Sequence, residues 1–220
     1  MVFVVVPAYN EAKNIGRVIR DLFQHGYKNI VIVDDGSSDD TYVEAKKLGV
    51  HVLQHEVNRG QGAALQTGNE FALANGAEII VHFDADSQMS PSDIEGALEK
   101  MQKENLDVIL GSRFLGKTSD IPWTKRFLIL PAARILNNIL SGLKLTDVHN
   151  GFRVLSRPAA EKIQIVQAGM AHNTEIIEQI KKHDLKYAEH PVSFVYNEYG
   201  QGVGGGMKIL RDLFLNKLIK

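Results

Sequence analysis

The chain has 220 residues, 44% hydrophobic and 23% charged, with a net charge of −1 and no cysteine. That length suits one α/β domain around a single core. The lack of cysteine excludes disulfides and thiolate metal sites, and the charge balance gives no expectation of a nucleic-acid partner. No run approaches the ~20 apolar residues of a membrane-spanning helix.

Residues 2–6 are a continuous β-branched and aromatic run with no basic leader before it. They predict a buried first strand and not a signal peptide, so the mature protein is expected to be cytoplasmic. Ile15, Val18, Ile19, Leu22 and Phe23 then recur at helical spacing, with Asn10 placed to cap the helix and Gly26 to end it. A second strand is predicted at 30–33, a helix at 41–48 stopped by Gly49, and a third strand at 50–53. A helix rich in small residues follows at 62–74, then a fourth strand at 78–83. Ser90, Pro91 and Asp93 have the order of a helix start, ahead of an apolar stripe of Ile94, Ala97, Leu98 and Met101. A fifth strand is predicted at 107–110.

The second half is less regular. Residues 121–143 are apolar and basic and are broken by Pro122 and Pro131. A strand is predicted at 152–155, a helix at 175–182 and a late strand at 187–195. Residues 200–206 hold five glycines and predict a loop, and a short helix starts at Met207. No repeat or interdomain linker interrupts the chain. The alternation predicts a single-domain α/β fold with a mainly parallel sheet sandwiched by helices. In such folds ligands bind beyond the carboxyl ends of the strands.

The polar clusters begin where predicted strands stop. Pro7-Ala8-Tyr9-Asn10-Glu11 follows the first strand, Asp34 to Thr41 the second, and Asp84-Ala85-Asp86-Ser87-Gln88 the fourth. In extended chain Asp84, Asp86 and Gln88 point the same way. They could offer three oxygen ligands to Mg²⁺ or Mn²⁺, whose other positions would go to water or phosphate. Acid-rich turns after strands are also common without metal. Asn58 to Gly62 opens a helix whose N-terminus would attract phosphate, but no Gly-Lys-Ser/Thr follows, so this is not a P-loop. Small residues for close helix packing are the other reading of Gly62 and Ala63. The eight histidines read as structural or exposed, not as metal ligands.

In order and spacing, PAYNE, DDGSSDDT, NRGQGAAL, FDADSQ, GSRF and TDVHNGFRVLSR resemble the inverting family 2 glycosyltransferases. The branch most similar is that of dolichol-phosphate mannose synthase and related polyprenyl-phosphate glycosyltransferases. The resemblance implies a GT-A, Rossmann-like fold, with a nucleotide-sugar-binding half at 1–115 and an acceptor half at 116–220. It implies that Pro7, Tyr9, Glu11 and Asp35 line the base and ribose pocket, joined by Asp84, Ala85, Asp86 and Arg113. Asp84, Asp86 and Gln88 would hold the metal, and Arg113 would contact the donor diphosphate, as a planar bidentate donor can. Asn150 and Arg153 fall in the acceptor region. Asn150 stands where relatives that use a lipid phosphate commonly carry a small hydroxyl residue. Asp86 and Arg113 are catalytic candidates. Glu175 and Asp147 are the candidate bases, needed for a sugar-hydroxyl acceptor but not for a phosphate acceptor.

Arg113, Lys117, Lys125, Arg126, Arg134 and Lys144 are accompanied in their stretch only by Asp120, and residues 207–220 are basic as well. In both segments apolar residues (Trp123, Phe127 and Ile135 in one, Ile209, Leu213 and Phe214 in the other) lie beside these cations. Such faces suit peripheral docking on the cytoplasmic face of an anionic membrane, where a polyprenyl phosphate would be the acceptor. Mutual burial or a homodimer interface is the other use of such faces. The 200–206 loop is expected to close over bound donor, or else to serve as a flexible linker. A haloacid-dehalogenase phosphatase is disfavoured because its D-x-D follows the first strand. A Rossmann dehydrogenase is disfavoured because no Gly-rich turn follows that strand. The non-enzyme rival is a nucleotide-sugar-binding protein without turnover.

Overall fold

The structure is a computed structural model that describes residues 1–115 and 143–194. In chain order its elements are β1 (Val2–Ala8), α1 (Ile15–Gln24), β2 (Ile30–Asp34), α2 (Thr41–Lys46), β3 (His51–Gln54), α3 (Gln61–Ala74) and β4 (Ile79–His82). They continue with α4 (Ser92–Glu104), β5 (Val108–Ser112), β6 (Arg153–Ser156), α5 (Arg157–Lys162), α6 (His172–Lys182) and β7 (Tyr187–Pro191). The strands form one sheet in the order β3-β2-β1-β4-β6-β5-β7. Every pairing is parallel except those of β6, which runs antiparallel to both β4 and β5. The two halves of the chain therefore share one sheet.

The near-continuous apolar strands reflect burial on both faces. Val5, Val33, Ile80 and Leu155 face one layer with Ala64 and Leu65 of α3 and Ile176, Ile177 and Ile180 of α6. Val4, Val6, Ile32, Val81 and Val154 face the other, with Ile15, Val18, Ile19 and Leu22 of α1 and Ile94, Ala97 and Met101 of α4. The carboxyl ends of β1, β2, β4 and β5 consequently share one edge of the sheet.

Local differences from the sequence reading have identifiable causes. Asn10 does not cap α1, which starts later with Asn14 at its N-cap. Asn10 sits at φ +56° and accepts the Ser38 N–H instead. Ser90 pairs with the Ser92 hydroxyl, and α4 begins without a side-chain cap. The six-residue α5 was not expected; Ser156 caps it by accepting the Ala159 N–H. Among the described residues no helix is long and apolar enough to cross a membrane. Residues 121–142, the glycine-rich 200–206 and the basic segment 207–220 lie outside the described residues.

Candidate active site

The turns after β1 and β2 are zipped together by polar contacts. Asn10 N–H donates to Ser37 Oγ at 2.9 Å, Glu11 N–H to Thr41 Oγ1 at 2.8 Å, and Ala12 N–H to Asp39 Oδ2 at 3.1 Å. This explains the density of Asp, Ser and Thr after β2: the side chains satisfy backbone groups that no strand or helix can. Asp34 is one of these structural residues, accepting from Ser37 N–H and Gln54 Nε2.

A cleft of about 440 Å³ opens at this edge, lined by Pro7, Ala8, Tyr9, Glu11, Asp35, Asn58, Gly60, Gln61, Asp84, Ala85 and Asp86. Asp35 is buried at its back and accepts Arg59 N–H at 2.9 Å, Gly60 N–H at 2.7 Å and a contact from His55 Nδ1 at 2.7 Å. It thus joins the turn after β2 to the start of α3. The sequence marked Asn58 to Gly62 as a helix start that attracts phosphate, without giving Asn58, Gly60 or Gln61 individual roles. Their signal was the same one used elsewhere, a polar cluster directly after a strand.

Asp84 and Asp86 meet in the cleft, but not through an extended chain. Residues 85–87 turn, with Ser87 at φ +60°. The turn brings Gln88 N–H onto Asp86 Oδ1 at 3.0 Å, and Gln88 is not among the residues lining the cleft. A turn, not an extended chain, therefore brings Asp84 and Asp86 to the cleft. Burial, then the charge of Asp86, pushes the Asp84 carboxyl up to about 6, against the pull of Arg153 and Arg113. Burial raises Asp86 as well. Glu11 is raised mainly by burial, against the Asn14 hydrogen bond, with Asp86 and Asp39 adding to the rise. Three crowded acids with surplus negative charge fit a divalent cation between Asp84 and Asp86. Among the described residues no group of three or more His, Asp or Glu is arranged to hold a metal alone. Such a cation would complete its shell with water or phosphate oxygens, as Mg²⁺ usually does.

Arg113, just past β5, forms a bidentate pair with Asp147, Nε to Oδ2 at 2.7 Å and Nη2 to Oδ1 at 2.8 Å. Glu189 on β7 orients that acid by accepting Thr146 N–H at 2.7 Å and Asp147 N–H at 3.1 Å. The Arg113 guanidinium also lies 5.3 Å from the Phe194 ring. Asn150 is buried, donating to Asp147 Oδ2 and accepting Phe152 N–H at 2.9 Å. Arg153 is 1% exposed and donates to Asn173 Oδ1. Neither Asn150 nor Arg153 lines the cleft; both stand behind Asp84. Glu175 lies elsewhere, accepting Val166 and Gln167 N–H at 3.0 and 2.9 Å.

Behind Asp84 lies one buried cation, Arg153, with His82 and His172 beside it. Arg153 faces His82 across the β4–β6 pairing. Burial pushes Arg153 down to about 10 and His172 down to about 4, the latter helped by the Arg153 charge. His172 is therefore neutral in the fold at pH values where the unfolded chain protonates it. Its contribution makes stability fall as pH drops from about 6.5 toward about 4, by up to about 1.4 kcal/mol per pH unit. Asp84, raised in the fold, acts in the opposite direction. The readout is therefore the difference between the chain and a His172→Gln variant in denaturant titrations across that range, and the variant is expected to show the shallower loss on acidification.

The sheet order, the single antiparallel strand and the acidic pair at the β4 edge define a GT-A type of α/β protein. Residues 3–164 match the glycosyl transferase family 2 model, and the chain belongs to that family. It is similar to an uncharacterized protein of Methanocaldococcus jannaschii, 40% identical over 225 residues, covering 99% of this chain and 92% of that one. It is 32% identical to the UDP-N-acetylglucosamine–dolichyl-phosphate N-acetylglucosaminyltransferase of Methanococcus voltae, covering 100% of this chain and 97% of that one. It is 28% identical to the polyprenol monophosphomannose synthase of Mycolicibacterium smegmatis, covering 96% and 83%. The fold matches glucosyl-3-phosphoglycerate synthase from Mycobacterium tuberculosis, solved with Mn²⁺, UDP and glucosyl-3-phosphoglycerate, at a TM-score of 0.70 and 19% identity, covering 91% and 73%.

Proposed function

We propose that the chain moves a hexose or N-acetylhexosamine from a UDP- or GDP-sugar to a polyprenyl phosphate, with inversion at the anomeric carbon. The observation that carries this reading is the pair Asp84 and Asp86, crowded with Glu11 in a cleft bounded by the turns after β1 and β2. Pro7, Ala8, Tyr9, Glu11 and Asp35 wall the nucleoside side of that cleft. Asp84 and Asp86 would hold Mg²⁺ or Mn²⁺, which would supply Lewis-acid neutralisation of charge on the departing diphosphate. Arg113, oriented by Asp147, lies near enough for its charge to act on Asp84. A phosphate oxygen of the acceptor attacks the anomeric carbon, the bond to the diphosphate breaks, and the nucleoside diphosphate leaves with the electron pair.

The two candidate bases support a phosphate acceptor. Asp147 is spent on the Arg113 pair and Glu175 on two backbone N–H groups. A hydroxyl nucleophile needs a free base, whereas a phosphate is already an anion. The names of the relatives from Methanococcus and Mycolicibacterium point the same way. The apolar and basic sequences of 121–143 and 207–220 support peripheral docking at the membrane where such an acceptor resides.

The test combines UDP-N-acetylglucosamine, UDP-glucose and GDP-mannose, each with Mn²⁺, with a polyprenyl phosphate in anionic liposomes. Transfer to the lipid with inverted anomeric configuration by NMR, and co-sedimentation at low salt, are expected. Transfer only to a soluble sugar removes the acceptor assignment, and retention of configuration removes the single displacement. An absence of co-sedimentation at low salt removes the docking.

A further inference from the structure

Residues 163–171 join α5 to α6 without regular structure, yet four consecutive N–H groups there are satisfied by side chains. Gln164 N–H donates to Gln179 Oε1 at 2.8 Å and Ile165 N–H to Gln66 Oε1 at 2.8 Å. Val166 and Gln167 N–H both donate to one oxygen of Glu175, at 3.0 and 2.9 Å. Glu175 belongs to the first turn of α6, so the loop is tied to that helix by a charge-assisted pair of bonds.

The loop then presses on the cleft. The Ala168 carbonyl accepts Gly62 N–H at 2.8 Å, in the first turn of α3. A Cβ on Gly60 would come within 2.8 Å of the Ala168 carbonyl carbon, and one on Gly62 would collide with the Gln167 carbonyl oxygen. Glycine at both positions is what admits this approach. Between them Gln61 reaches Asp84 Oδ1 through Nε2 at 3.2 Å, and Gly60 N–H is held by Asp35 Oδ2 at 2.7 Å. Gly60 and Gln61 are themselves walls of the cleft.

We propose that Glu175 is a positioning residue: its carboxylate fixes loop 166–168, and the loop fixes the Gly60–Gly62 wall that meets the donor and holds Asp84. The donor role of the cleft is the reading given above; the mechanical coupling from Glu175 to α3 stands on the contacts alone. Glu175 carries no proton in the reaction.

The comparison is between the full chain, Glu175→Gln and Glu175→Ala. Three measurements are made: hydrogen exchange over residues 60–64 and 164–168, binding of UDP and of GDP each with Mn²⁺, and turnover. Glutamine keeps an oxygen that can accept from both N–H groups, so Glu175→Gln stays within about twofold of the parent throughout. In Glu175→Ala, exchange at 60–64 rises about tenfold and the nucleotide Kd rises about five- to tenfold, with kcat changed less than about twofold. A loss of about a hundredfold in kcat for Glu175→Gln at unchanged Kd would mark proton transfer and overturn the proposal. Unchanged exchange at 60–64 in Glu175→Ala overturns it as well. If the parent binds neither nucleotide, the donor reading falls, and the exchange result still decides the coupling.

Discussion

Asp86→Ala is expected to lower turnover by about a thousandfold or more, a barrier increase of roughly 4 kcal/mol, while Tm stays within a few degrees of the parent. Asp86 sits in the turn after β4, and its carboxylate accepts Gln88 N–H at 3.0 Å. Losing that bond costs about 1 kcal/mol at most, and removing a buried acid from beside Asp84 relieves repulsion. Stability therefore has little to lose. On the proposed function, catalysis loses one of the two carboxylates that would hold the metal. Rates measured against Mn²⁺ concentration, alongside thermal melts, separate the two effects. A variant that turns over at the parental rate, or a parent fully active in EDTA, would remove Asp84 and Asp86 from the metal assignment.

The architecture was legible because its signals are periodic and local. Apolar runs ended at polar clusters, and the alternation of strand and helix required parallel pairing. The clusters after β1, β2 and β4 could be placed together because parallel strands put their carboxyl ends on one edge. What was not legible depends on contacts between distant segments. Nothing in the period of residues 152–155 says that β6 inserts antiparallel between β4 and β5. Gln88 was given a ligand role from the two-residue period of extended chain, and Ser87 at φ +60° broke that period. Asn150 and Arg153 were read as acceptor contacts from their place in a motif. The structure buries both, Asn150 against Asp147 and Phe152 and Arg153 in β6 opposite His82. Gln61 was read only as part of a helix start that attracts phosphate; its reach to Asp84 depends on a contact between distant segments.

Gly151→Ala is expected to lower turnover by about a hundredfold while the chain still folds. The glycine sits between Asn150 and Phe152, both buried, and its backbone dihedrals suit any residue; what it supplies is space. A Cβ there would lie 2.7 Å from Asp84 Oδ1 and 2.8 Å from its Cγ, well inside van der Waals contact. The carboxylate is bonded to Gln61 and can move only toward the cleft it lines. It must swing away, and with it goes the geometry of the acidic pair. A displacement near 1 Å at a reacting centre costs on the order of a hundredfold in rate. The overpacking itself costs about 1–3 kcal/mol, equivalent to a fall in Tm of roughly 2–12 °C for a chain of this size. The informative control is Gly169→Ala, where an added Cβ meets nothing within 4 Å. That variant should match the parent in rate and in melting. If Gly151→Ala also matches the parent in rate and in Mn²⁺ dependence, Asp84 tolerates displacement. The close packing of Gly151, just before β6, against Asp84 would then serve the fold alone.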